Sequence, residues 1–324
     1  MLSRYKNIIT GLVKILIGLG SFALIYWRLE NDLTPENITA LKTSFSDTTA
    51  YCILAFCILL IPVNWGIESY KWKLITSPIE DISFTAAMKS VYSGVCVGNL
   101  APGRATEFLA KIVFFKPENR PTIALLHFAN GMFQLSITII AGLLGLFLKF
   151  NCNSSLSCSQ IIWIIIFCIL LLITFSIFIF KFDAVQSKLI KLLKRRIEGD
   201  TLSYKFSKKL SVRLILFSIL RYSVFTLQFI LILKLFYSGT ECCFNVIASV
   251  FIYFLLTTIL PMISVIEPAV RAAIALLVFG GMGYPEISLV ISAVMLWLIN
   301  IVLPSVIGYV IIVKEKFEFR FFKK

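Results

Sequence analysis

Apolar residues run along this chain in long blocks, parted by short polar or basic stretches. A hydrocarbon core of about 30 Å needs roughly 20 apolar residues per helix. Six blocks meet that length, at about 7–27, 50–67, 121–149, 160–181, 212–237 and 286–313. Two further apolar regions, about 84–115 and 245–280, are interrupted near the middle, the first by Pro102-Gly103 and the second by Pro261. Proline removes a backbone donor and obstructs the preceding turn, so each region divides into two helical arms, some too short to cross comfortably. The pattern predicts an all-α integral membrane protein with six full spans and two broken, re-entrant hairpins. If the hairpins span instead, the count is eight ordinary helices.

Charge sets the orientation. From Lys181 to Arg213 there are ten Lys/Arg against three Asp/Glu, and the tail from Lys314 is basic. The loop from Arg28 to Asp47 is net acidic, and that from Asn151 to Gln160 carries no charge. The positive-inside rule places both termini and the basic 182–211 loop in the cytoplasm of a plasma (inner) membrane. Region 84–115 then starts and ends inside, and region 245–280 starts and ends outside. Each half, about 1–149 and 150–324, reads helix, helix, broken hairpin, helix, with the second half upside down. This is an inverted repeat within one polytopic domain, a plan common among secondary transporters. Within the loop, apolar positions alternate with bases between Val185 and Ile197, as in a helix lying on the anionic cytoplasmic leaflet or a solvated basic loop.

Composition agrees with the spans. The 324 residues are 59% hydrophobic with mean hydropathy +0.91, and 15% are charged, where a soluble domain carries roughly 25%. The net charge of +14 lies in loops beside apolar blocks, so it reads as topology rather than nucleic-acid binding. Of eight cysteines, Cys52, Cys57, Cys96 and Cys168 fall in apolar spans, whereas Cys152, Cys158, Cys242 and Cys243 sit in predicted outer loops with their pairing open. One histidine, no Cys/His metal spacing, no phosphate loop and no nucleophile elbow leave no catalytic, metal or cofactor expectation.

The charges inside the apolar regions are the candidate site. Charge at membrane depth costs about 2.5–3.5 kcal/mol per residue on insertion scales, and it marks pathways and sites. Arg104, Glu107 and Lys111 share one helical face at i, i+3 and i+7, and Ser264, Glu267 and Arg271 repeat that spacing. Such couples hold a zwitterionic or anionic headgroup or, alternatively, pin the hairpins as internal salt bridges. Arg221 lies about nine residues into its span, too deep to snorkel, with Gln228 on the same face. Asn64 and Glu68 are candidates to join it, unless Glu68 pairs with Lys71 or Lys73. His127, Gly131, Gln134, Thr138, Gly142 and Gly145 form a small, polar stripe that reads as close helix packing, with His127 a hydrogen-bonded interior residue.

The run Gly98-Asn99-Leu100-Ala101-Pro102-Gly103-Arg104-Ala105-Thr106-Glu107, with Lys111 after it, resembles the signature of the lysylphosphatidylglycerol synthase transmembrane-region (flippase-like domain) family. The family pattern is similar to Asn-x-x-Pro-Gly-Arg-x-Gly-Glu. Pro261 and Glu267 look like its second element, although Thr106 stands where glycine is usual and Met262 to Ile266 lack the second element's glycines. The resemblance implies a multi-pass bacterial or archaeal membrane protein that moves a lipid or lipid-linked headgroup between leaflets. No soluble aminoacyl-transferring domain accompanies it here, so lysyl-lipid synthesis is not implied. Membrane lipids are the expected partners, with a separate lipid-modifying enzyme or a second copy of the chain left open. An intramembrane lipid- or glycan-modifying enzyme using Glu107 and a non-transporting subunit of a lipid synthase are the alternatives.

Overall fold

The computed structural model describes residues 19–30, 34–99, 106–151, 207–236, 243–260 and 266–315, with scattered helical positions between 159 and 173. The regular structure among these residues is helical, and no strand occurs among them. After α1 (residues 19–30) come α2 (Pro35–Ser44), α3 (Thr48–Thr76), α4 (Phe84–Gly98), α5 (Glu107–Ile112) and α6 (Arg120–Asn151). Then follow α7 (Lys208–Lys234), α8 (Cys243–Ile259), α9 (Glu267–Phe279) and α10 (Glu286–Lys314).

Four helices, α3, α6, α7 and α10, are long and apolar enough to cross a membrane, as expected for blocks 50–67, 121–149, 212–237 and 286–313. The chain is thus a membrane protein by the length and composition of these helices. Block 7–27 is described only from residue 19, and block 160–181 only in fragments, so neither is established as a full span. The basic segment 182–206 and Cys152, Cys158 and Cys242 also lie outside the described residues. Helix α2 was not anticipated. It starts where the Thr34 side chain accepts from the Asn37 N–H and Pro35 occupies the first turn, a start signal in a segment too polar to register as a span.

The interrupted regions do form pairs of short helices. At 1.5 Å per residue, α4 (15 residues), α8 (17 residues) and α9 (13 residues) all fall short of the roughly 20 residues a span requires. Asn99 caps the C-terminus of α4, while Pro102, Gly103 and Pro261 lie outside the described residues. Helices α4 and α5 pack on each other, as do α8 and α9. The Ser90 hydroxyl on α4 donates to the Lys111 carbonyl of α5 (3.0 Å) and accepts from Trp72 Nε1 (3.0 Å), joining both arms to α3.

The two pairs open at opposite ends of the bundle. Glu80, just past α3, accepts from the Lys116 N–H (3.1 Å) and from Asn119 Nδ2 (2.7 Å) before α6, while Lys89 of α4 meets Glu315 beyond α10 (2.7 Å). At the other end Lys149 of α6 donates to Ser249 Oγ near the start of α8 (2.9 Å) and to the Val278 carbonyl near the end of α9 (3.0 Å). Arg28 of α1 pairs with Glu286 there, at the start of α10.

Close packing fixes the crossings. A Cβ on Gly145 would lie 2.6 Å from the Ala248 carbonyl, and one on Gly308 would collide with the Tyr92 carbonyl. Only hydrogen fits, so α6 seats on α8 and α10 on α4 with backbones nearly touching. Helix α10 also widens into a π turn over Leu298–Val302. Pro304 cannot donate to the Asn300 carbonyl, four residues back, and its ring crowds that carbonyl. The wide turn accommodates this and leaves Asn300 buried, facing α3.

Candidate functional site

Helix α3 carries Asn64, Glu68 and Lys71 at i, i+4 and i+7, one face of a helix, and all three are buried. Arg221 of α7 reaches the same place. Its Nη1 lies 3.1 Å from Glu68 Oε2, and its Nε donates to Asn64 Oδ1 (3.2 Å). Lys71 Nζ approaches that same Oε2 at 3.5 Å, and Asn130 Nδ2 of α6 donates to Glu68 Oε1 (2.7 Å). Asn64 Nδ2 in turn donates to Asn300 Oδ1 (3.2 Å), and Lys71 Nζ to Gln134 Oε1 (3.5 Å). One carboxylate thus serves two cations, in a network that draws on α3, α6, α7 and α10. The guanidinium carbon of Arg221 lies over the Trp65 and Phe225 rings, 5.1 and 5.2 Å from their centroids.

Each hairpin contributes one further couple. On α5, Lys111 Nζ lies 2.7 Å from Glu107 Oε1, and the ammonium sits 5.2 Å from the Trp72 ring. On α9, Arg271 donates from Nε (2.9 Å) and Nη2 (2.7 Å) to Glu267 Oε1, with Tyr253 beside it. Glu267 and Lys111 are buried. The i, i+4 spacing that puts acid and base on one face therefore produces a bonded pair in both halves. Arg104 and Ser264, the remaining members of the anticipated faces, lie outside the described residues.

Two cavities connect these groups. The larger, about 500 Å³, is lined by Glu68, Glu107, Lys111, His127, Asn130 and Arg221 among others. The smaller, about 200 Å³, takes Arg221 and Arg271 together with Trp65, Tyr222, Trp297 and Asn300. Trp65, Gln134, Thr138, Arg221 and Thr258 belong to both linings, so the two spaces adjoin along one wall. Glu107 and Lys111 of the first hairpin and Arg271 of the second thus border two adjoining cavities. Arg221 stands between them. Glu267 does not line either cavity itself and meets the space through Arg271.

The stripe on α6 divides in two. His127, Gly131, Gln134 and Thr138 line the larger cavity, and the position a Gly131 Cβ would take is open. Gly142 and Gly145 instead pack against Leu255, Ala248 and Phe251 of α8. The histidine also departs from expectation. Its Nδ1 is buried without a hydrogen-bond partner, among the rings of Trp72, Phe108 and Phe128. Gln228 lies away from the cavities, its Nε2 donating to the Cys57 carbonyl (2.9 Å), and so pins α7 to α3.

Asn130 and Asn300 were not singled out in the sequence, and Lys71 was named there only as an alternative partner of Glu68, which it does meet. The Asn64/Glu68/Lys71 spacing was the available signal that Lys71 belongs to the same buried face as Arg221's partners. No protein-family model matches the chain, and no curated protein matches it in sequence. The family resemblance therefore stands on the Gly98–Glu107 run and the Pro261/Glu267 element alone.

Proposed function

We propose that the chain is a lipid flippase-like transporter, moving a phospholipid or lipid-linked headgroup between the leaflets of a plasma (inner) membrane. The observation that carries this reading is the pair of adjoining cavities bordered by Glu107, Lys111, Glu68, Arg221 and Arg271, set among four bilayer-length helices. A headgroup in that space keeps water and charge around it while its tails remain in hydrocarbon, avoiding the penalty of an unpaired charge in lipid. Salt bridges serving only as pins would be matched by apolar packing of similar volume, whereas these border open space.

The contact pattern supports an inverted repeat. Exchanging α3, α4, α5 and α6 with α7, α8, α9 and α10 carries each principal helix contact onto another: α6 on α8 becomes α10 on α4, and α3 on α6 becomes α7 on α10. The opposite ends at which the hairpins open fit re-entrant wedges inserted from the two sides. Both termini then face the cytoplasm, and membrane lipids are the partners.

Reconstitution into vesicles carrying fluorescent lipids tests the proposal. Leaflet exchange should accelerate with the protein and return toward the protein-free rate in Glu107→Gln and Arg104→Gln. No acceleration by the wild-type chain would remove the reading. An intramembrane lipid-modifying enzyme is the second reading, favoured by His127, which lines the same cavity as Glu107 and whose Nδ1 has no hydrogen-bond partner. It predicts a chemically altered lipid in mass spectra of expressing cells, and unaltered lipid masses would eliminate it.

A further inference from the structure

Resting on the transport reading, we infer that the smaller cavity is a subsite for one phosphate-class oxyanion, held by Arg221, Arg271 and the side-chain donors of Trp65, Tyr222 and Trp297. Trp65 is 3% exposed and Tyr222 7% exposed. Trp65 Nε1, Tyr222 Oη and Trp297 Nε1 are all buried without a hydrogen-bond partner, and all three residues line this one space. A buried donor without an acceptor is costly and therefore rare in a folded chain. With all three residues lining one space, an acceptor entering it from outside the chain can meet donors the fold leaves unpartnered.

The lining has a sign. Among the described residues no carboxylate borders the smaller cavity, whereas two guanidiniums do. The larger cavity, in contrast, mixes Glu68 and Glu107 with Lys111 and Arg221. Because Glu68 Oε2 is shared by Lys71 and Arg221, that cluster carries a surplus positive charge which a bound anion neutralises. The Arg221 guanidinium is held by the Trp65 and Phe225 rings and by Glu68 and Asn64, and a held fork suits phosphate oxygens, which accept several donors at once. Water fills the space between visits. The chemistry is shared by a phospholipid headgroup and by free phosphate.

The test titrates the purified full chain in detergent with dihexanoyl phosphatidylglycerol, with inorganic phosphate and with phosphate-free dihexanoylglycerol, reading tryptophan fluorescence. A saturable change with the phosphatidylglycerol and none with the dihexanoylglycerol is expected. Tyr222→Phe and Trp297→Phe should each weaken binding by about ten-fold, and Tyr222→Phe, which deletes only a hydroxyl without a partner in the fold, should leave the melting temperature unchanged or raised. A merely structural role would lower the melting temperature instead. An equal response to inorganic phosphate upholds the subsite and assigns it a free anion. No saturable response to either phosphate-bearing probe, or unaltered affinity in both variants, overturns it. Failure here with leaflet exchange intact removes the subsite alone, while phosphate-selective binding without exchange removes the transport reading alone.

Discussion

Glu68→Gln isolates the group on which the interior depends. The carboxylate is 8% exposed and meets Arg221 at 3.1 Å and the fully buried Lys71 at 3.5 Å. Replacing it with a neutral amide keeps the shape and leaves two cations facing each other at membrane depth. Breaking a buried pair by removing one partner costs about 3–5 kcal/mol. For a chain of this size that lowers the melting temperature by about 6–10 °C, at roughly 2 °C per kcal/mol. Removing the surplus cation as well, in Glu68→Gln/Lys71→Met, takes away the repulsion and should recover about half of the loss, a coupling of at least about 2 kcal/mol. Lys71→Met alone should cost less than Glu68→Gln, because Glu68 keeps Arg221 and the Asn130 amide at 2.7 Å. Thermal unfolding of the four proteins in one detergent closes the cycle. A Glu68→Gln melting temperature within about 1 °C of wild type, or additive single and double losses, would refute the network.

Other expectations follow from the packing. Gly145→Ala should destabilise by about 1–3 kcal/mol, since the new methyl meets the Ala248 carbonyl at 2.6 Å. Gly131→Ala, facing open space, should match wild type or gain up to about 1 kcal/mol from helix propensity in the same unfolding assay. Gln228→Met deletes the bond to the Cys57 carbonyl and should cost about 1 kcal/mol of stability while leaving leaflet exchange at the wild-type rate. A loss of exchange in that variant, at a temperature where it is folded, would draw Gln228 into the pathway.

Hydropathy was enough to locate α3, α6, α7 and α10, because bilayer-length apolar blocks have few other uses. The interruptions between Gly98 and Glu107 and between Ile259 and Glu267 were legible from proline and from charge out of place. Arg221 was legible for the same reason, its depth leaving no route to water except inward. The Glu68–Lys71–Arg221 arrangement was legible only as alternatives, Glu68 joining Arg221 or pairing with a nearby lysine, and not as one carboxylate serving both cations. It depends on how α3, α6 and α7 rotate against one another, and that rotation is set by contacts such as Gly145 on Ala248 and Gln228 on Cys57 rather than by any local pattern. The π turn beside Pro304, which buries Asn300 against Asn64, was equally invisible, since a proline near the middle of an apolar block more simply suggests a kink. Likewise the stripe on α6 looked uniform, and only its neighbours separate the cavity wall at Gly131 from the packed seam at Gly145.

The account rests on a hydrated interior shared by both hairpins, and aqueous thiol chemistry reads that directly. In a chain whose eight cysteines are replaced, Thr138→Cys places one thiol on the wall common to both cavities. Ile140→Cys places one on the outer face of the same helix, where the native side chain is 53% exposed. A charged methanethiosulfonate reagent attacks thiolate in water and not a thiol in hydrocarbon. In vesicles it should modify Thr138→Cys and spare Ile140→Cys; an unreactive Thr138→Cys, or reaction confined to Ile140→Cys, would contradict the shared chamber.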